Sequence, residues 1–196
     1  MTIRLSLISH ASTEAVRAAR FARDESLDSF GMTAAKAMGR QLRSVDQSWT
    51  APERRTIETA EALGLAASRS DLIRDWDCGR WAGLSFDEIQ EQEPSALGEW
   101  LGDPSAAPHG GESLLELLAR VSGWLEGLQA GAIVAVTHPA VIRAAIVSAL
   151  GVSPAAFWRI DIAPLSCVDL TGHNGRWNLG EIRRYGKGEL PTGDGL

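Results

Sequence analysis

Residues 132–137 read AIVAVT, an apolar segment with no polar alternation. A strand of this kind is buried on both faces, which places it in a parallel sheet covered by helices on either side. Before it, Leu114, Leu117, Leu118, Val121, Trp124, Leu125 and Leu128 recur at the spacing of one helix face, behind a Gly110-Gly111-Glu112-Ser113 start. After it, Pro139 stands where the first helical turn needs no N–H, and that helix is predicted to end near Gly151. Helix, buried strand, helix is the building unit of an α/β fold.

The rest of the chain fits the same plan. Residues 3–8, IRLSLI, predict a second buried strand ending at Ser9-His10. The polar stretch from Ser12 to Asp28 offers little beyond Phe21 and Leu27 to a core. A helix is predicted from Gly31 to about Val45 on Ala34, Ala37, Met38, Gln41 and Leu42. Thr50-Ala51-Pro52 reads as a strand end feeding a helix over 53–63, and residues 71–83 as a loop. Short helices are predicted from Ser85 and over 95–101. After Phe157 the pattern alternates, in RIDIAPLSCVDLTG and RWNLGEI, and predicts two or three strands. The expected architecture is a three-layer α/β/α domain with a mostly parallel sheet over 1–185, followed by a mobile tail at 186–196.

Composition narrows the partners. At 196 residues the chain holds about one domain. Nineteen basic and twenty-five acidic side chains give a formal charge of −6, which disfavours nucleic acid and anionic membranes but leaves room for a small anion in a local pocket. Two cysteines, Cys78 and Cys167, exclude a disulfide framework and a CxxC knuckle, and no dense His/Cys cluster marks a metal site. The most apolar stretch, 130–152, contains His138, Pro139 and Arg143 and does not read as a membrane span. The N-terminus lacks the apolar length of a secretion signal, so the cytoplasm is the expected compartment.

Both buried strands end in a histidine, His10 and His138, at the rim where open α/β sheets bind ligands. Two imidazoles at one anion-binding rim suit covalent phosphoryl transfer, in which one attacks phosphorus and the other donates to its oxygens. Such a reaction needs positive charge, which Arg54 and Arg55 offer at a helix start. It also needs an acid for the leaving alkoxide, for which Asp75 and Asp77 are candidates. Each of these has an ordinary reading too: rim histidines cap helices, arginine pairs are solvated, and loop aspartates make turns.

At these residues the chain resembles the histidine phosphatase superfamily, in its phosphoglycerate-mutase-like branch. Ser9-His10-Ala11 stands against that family's Arg-His-Gly, and APERRTIETAEAL against its Ser-Pro-Leu segment, placing Arg55 at the family's arginine. DWDCGRWAG resembles its acidic loop, with Asp75 at the acidic position, Gly110–Ser113 its Gly-Gly-Glu-Ser, and Thr137-His138-Pro139-Ala140 its Thr-His-Gly-Gly. The resemblance implies a phosphohistidine at His10, oxygens held by Arg55 and His138, and Asp75 as acid and then base, with neither metal nor organic cofactor. The substrate is expected to be a small, anionic phosphorylated metabolite.

The departures gather at the phosphate pocket. Ser9 replaces a guanidinium, and losing one such contact in a transition state costs about 2–4 kcal/mol. Ala11, Ala51, Ala82 and Pro139 also depart from the pattern. Three explanations compete: a cation such as Arg17 or Arg20 folds back over the site; the site takes a less charged substrate; or the protein is a binding or regulatory module without turnover. Among seven tryptophans, Trp76 and Trp81, with Phe86, are expected to wall the mouth against an apolar substrate body. His109 is a further rim candidate, Cys78 reads as a small filler, and Phe157 and Trp158 fit either a homodimer contact or closure of the core.

Overall fold

In the computed structural model, which describes residues 2–40, 42 and 45–184, the two apolar segments lie side by side at the centre of one sheet. Its six strands are β1 (Thr2–Ser9), β2 (Gln47–Thr50), β3 (Ser68–Arg69), β4 (Gly131–Thr137), β5 (Ser166–His173) and β6 (Arg176–Arg184), in the order β3-β2-β4-β1-β5-β6. The pairings β1/β4, β2/β4 and β2/β3 are parallel; β1/β5 and β5/β6 are antiparallel. Strand register brings the two histidines together. Ser9 pairs with Thr137, and the His10 N–H donates to the Thr137 carbonyl at 2.9 Å, so the two strand-end histidines emerge next to each other.

The helices are α1 (Glu14–Arg17), α2 (Ser29–Gly39), α3 (Arg54–Ala62), α4 (Phe86–Gln92), α5 (Pro94–Gly102), α6 (Leu114–Glu126) and α7 (Pro139–Leu150). Alternate strand residues face opposite layers. Leu5, Leu7, Ile133 and Ala135 pack with Leu117 and Val121 of α6 and Val141 and Ala145 of α7. Ile8, Val134 and Val136 pack on the other face with Ala35 and Met38 of α2 and Ala60 of α3. The three layers are therefore present. The α6 stripe begins at a capping box between Ser113 and Glu116, and α7 ends at Gly151, which adopts a left-handed φ of 61°.

Two predicted elements differ. The helix expected over 31–45 starts at Ser29, because the Asp28 carboxylate accepts from the Gly31 N–H at 2.6 Å and caps it there. It closes at Gly39, and of the predicted extension residues 41, 43 and 44 lie outside the described residues. The alternation at 159–164 forms no strand: Arg159 closes a 3₁₀ turn over Pro154–Arg159, and Leu165, at a φ of 56°, turns the chain into β5. The expected tail, 186–196, also lies outside the described residues. Among the described residues no helix is long and apolar enough to cross a membrane.

Candidate active site

His10 and His138 meet edge to face, with ring centroids 5.3 Å apart, and both are almost fully buried. The Nδ1–H of His10 faces the Ala11 carbonyl at 2.8 Å, which fixes the tautomer and leaves Nε2 with a free lone pair. Burial, then the neighbouring charges of His138 and Arg55, push the His10 pKa down to about 3. The ring is therefore neutral at physiological pH, the state a nucleophile requires.

Arg55 enters from the first turn of α3 and is 2% exposed. Its Nη1 donates to the Arg23 carbonyl at 2.5 Å and its Nη2 to Asp75 Oδ2 at 2.5 Å, while Nε has no hydrogen-bond partner among the described residues. Burial alone would raise the Asp75 pKa, but the charges of His138, Arg55 and His10 outweigh it and hold the carboxyl below its usual range.

The loop that delivers Asp75 is fastened from behind. Arg120 of α6 donates to both carboxylate oxygens of Glu112, at 2.7 and 2.6 Å, and to the carbonyls of Leu72, Arg74 and Asp75. Trp76 Nε1 donates to the Glu112 carbonyl at 2.6 Å. Gly111 is needed for this closure, because a Cβ there would collide with the Asp77 carbonyl oxygen.

Glu53, at the N-cap position of α3 but with no side-chain bond to the helix, was not among the residues the sequence brought forward. One of its carboxylate oxygens lies 2.8 Å from His138 Nε2, and the other accepts from the Asp75 N–H at 2.9 Å. Burial raises its pKa, yet the hydrogen bond and charge of His138 leave it lowered overall. His138 Nδ1 lies 3.3 Å from Asp75 Oδ2 but has no aligned hydrogen bond. Two carboxylates thus contact one imidazole, and one guanidinium pairs with Asp75, its charge felt by His10.

A cavity of about 290 Å³ opens beside this cluster, lined by His10, Asp75, Trp76, Trp100, Phe157 and Trp158 among others. Arg143 of α7 also lines it, half-buried, its guanidinium carbon 5.7 Å from the centre of the Phe157 ring. No hydrogen bond or ion pair joins Arg143 to another described residue, and its buried Nε has no partner.

Other expected residues sit elsewhere. Trp81 is fully buried in the core, packed on Phe21, Trp100 and His109, and Phe86 is exposed on α4; Trp100, Phe157 and Trp158 provide the cavity wall instead. His109 is buried, its Nδ1 accepting from the Gly111 N–H at 3.0 Å. Arg17 points outward, 3.8 Å from Asp28, and Arg54 is exposed beside Glu58. Arg20 does line the cavity, but its guanidinium is held by Glu88 and the Gly83 carbonyl. Asp77 closes an exposed turn onto the Gly79 N–H, and Cys78 borders the cavity with its thiol pKa pushed up by burial. Among the described residues no group of three or more His, Cys, Asp or Glu is arranged to hold a metal ion.

The family model for the histidine phosphatase superfamily (branch 1) matches residues 5–184. The chain belongs to that superfamily. Phosphoserine phosphatase 1 of Hydrogenobacter thermophilus is 31% identical over 169 residues, spanning 80% of each chain. The glucosyl-3-phosphoglycerate phosphatase of Mycolicibacterium vanbaalenii is 30% identical over 137 residues, 61% of this chain and 60% of that one. A solved mycobacterial glucosyl-3-phosphoglycerate phosphatase superposes with a TM-score of 0.81 at 25% identity, covering 95% of this chain and 100% of the other.

For a histidine phosphatase, the Ser9 position is now defined physically. The side chain is fully buried and its Oγ has no hydrogen-bond partner among the described residues. Glu53 left one signal in the sequence: it stands where the resemblance has leucine, in Ala51-Pro52-Glu53 against Ser-Pro-Leu. An ionisable residue at a leucine position, two residues before the arginine of the resemblance, is that signal.

Proposed function

We propose that this histidine phosphatase hydrolyses a small phosphate ester in the cytoplasm by forming a phosphohistidine at His10. The observation that carries the reading is the neutral, tautomerically fixed His10, packed on His138 and influenced by the Arg55 charge, at the edge of a cavity that His10 and Asp75 line. Nε2 of His10 attacks phosphorus as the ester P–O bond breaks. His138 and Arg55 hold the equatorial oxygens, with Arg55 exchanging its Asp75 contact for the incoming oxyanion. Asp75 is a carboxylate in the free site, so the proton arrives with the singly protonated phosphate ester; Asp75, released from its ion pair, relays that proton to the leaving oxygen and later takes one from the water that cleaves the N–P bond. No step calls for a metal or an organic cofactor.

The cavity supports a substrate with a flat, apolar body, stacked among Trp76, Trp100, Phe157 and Trp158. The unpaired guanidinium of Arg143 supports an oxyanion on that body, away from the reacting phosphate. The charge balance around the histidines favours a second reading, a module that binds without turnover: the cluster holds one guanidinium, Arg55, and two carboxylates, Asp75 on Arg55 and Glu53 on His138.

Rapid mixing with an aryl phosphate, followed by an alkaline denaturing quench that spares N–P bonds, separates the two. Phosphate carried on wild-type protein and absent from His10→Ala supports the enzyme. Saturable binding of the aryl phosphate with no phosphorylated protein supports the module.

A further inference from the structure

Ser9 and Glu53 look like two separate injuries to an anion site, one removing a cation and the other adding an anion. The geometry makes them halves of one exchange. We propose that Glu53 is a positioning residue that holds His138 as an imidazolium, and that this charged ring replaces the guanidinium absent at Ser9. The inference rests on the reading of the site as a phosphate-transfer centre.

Positive charge is what the pocket lacks, with one guanidinium beside the carboxylates of Asp75 and Glu53. Arg55 has one N–H on the Arg23 carbonyl and one on Asp75, so its single charge is already shared with a carboxylate before any anion arrives. His138 offers a buried Nδ1 with no hydrogen-bond partner, beside the ring of His10. A lone imidazole donates from one nitrogen only. If its single proton sat on Nε2, against Glu53, Nδ1 would be an acceptor, and would repel a phosphate oxygen brought to it. With a carboxylate 2.8 Å from Nε2, a proton there is held by a charge-assisted bond, and the second proton can reside on Nδ1. The ring then carries one positive charge and presents a donor, which is what the missing arginine would have supplied. Leucine at position 53 could not do this, and arginine at position 9 would make it unnecessary.

The charged and titratable groups around His138 are Glu53 at the cap of α3, Arg55 within α3, Asp75 from the loop and His10 from the end of β1. Arg55 and His10 do not supply a counter-charge to the ring. Asp75 does lie near it, but it is shared with Arg55 and is not aligned with Nδ1. Glu53 is therefore the partner that decides the ring's state.

The direct test is side-chain ¹⁵N NMR of the full chain at pH 7 without ligand, comparing wild type, Glu53→Gln and Glu53→Asp. Expected is a His138 signal with both nitrogens protonated in wild type and in E53D, and a neutral ring in E53Q. An unchanged ring in E53Q overturns the proposal, as does a neutral ring in wild type. The kinetic test uses p-nitrophenyl phosphate. E53Q should lower kcat/KM about tenfold or more at pH 7, for a carboxylate that shifts its neighbour by a pH unit or more. Its alkaline loss of activity should begin at lower pH than in wild type. Adding Ser9→Arg to E53Q should restore activity, with Ser9→Lys as the smaller alternative if the arginine variant fails to fold. Restoration supports the exchange, and folded double variants no better than E53Q overturn it. A wild type that never becomes phosphorylated refutes the phosphatase reading, whereas the NMR comparison still decides the pairing of Glu53 with His138.

Discussion

Arg55→Met removes the guanidinium and keeps the apolar stem, and its consequence can be worked from the contacts of Asp75. In wild type the Asp75 carboxylate is held by Arg55 at 2.5 Å, with His138 nearby and the Glu53 carboxylate on its own backbone N–H. Without Arg55, a partly buried carboxylate sits beside a second one with no guanidinium between them. Breaking a buried ion pair from one side costs about 3–5 kcal/mol, and the partial exposure of Asp75 places this case near the lower end. Urea unfolding followed by tryptophan fluorescence reads the loss. The sign with pH comes from linkage. Asp75 is held below its ordinary value in wild type, so its contribution is present above pH 4 and lost as pH falls through the folded value. In Arg55→Met the raising effect of burial is no longer opposed by Arg55, so the deficit is greatest near pH 7 and shrinks as the carboxyl takes up a proton. Arg55→Met/Asp75→Asn should recover at least half of the lost stability. A loss under about 1 kcal/mol, the range of exposed pairs, or no recovery in the double variant would refute the reasoning.

The remaining predictions are independent of that pair. Trp81→Ala should cost about 3–5 kcal/mol in unfolding free energy while KM in the folded enzyme stays near wild type, because Trp81 is core rather than wall. Arg143→Met should lower kcat/KM for a carboxyphenyl phosphate by tenfold or more while changing that for phenyl phosphate by less than threefold. Equal effects on both would remove Arg143 from substrate recognition. The buried neutral His10 has a folded pKa near 3 against an ordinary 6.5, so unfolded chains bind the extra proton first and stability falls as pH drops through that window. The His10 share of the slope should approach about 1.4 kcal/mol per pH unit, and the total slope should fall by that share in His10→Phe.

How far the sequence reached depended on whether a residue's role was local. The strand at 132–137 was readable because its environment, apolar on both faces, is written in its own composition, and His138 comes as its next residue. Pro139 and Gly151 marked the ends of α7 for equally local reasons. The start of α2 was missed because Asp28 caps across a segment that looked uniformly polar. At the site, His10, His138, Arg55 and Asp75 do converge. Trp81 was misplaced because sequence shows that a tryptophan lies in a loop but not which way the loop folds, and the Gly79 and Gly111 contacts turn this one inward. Arg143 passed unnoticed because a guanidinium on a helix is ordinarily solvated, and only the packing of Phe157 and the neighbouring tryptophans encloses it. Glu53 shows the same limit: its partner, His138, is 85 residues away in the chain.

The proposed phosphate transfer requires His10, His138 and Arg55 to bind one pentavalent oxyanion together, and a crystal structure with vanadate tests that in a single step. It should show vanadium bonded to Nε2 of His10, with Nδ1 of His138 and the Arg55 guanidinium on its equatorial oxygens. Vanadate bound away from His10, or excluded at concentrations that saturate other phosphatases, would contradict it.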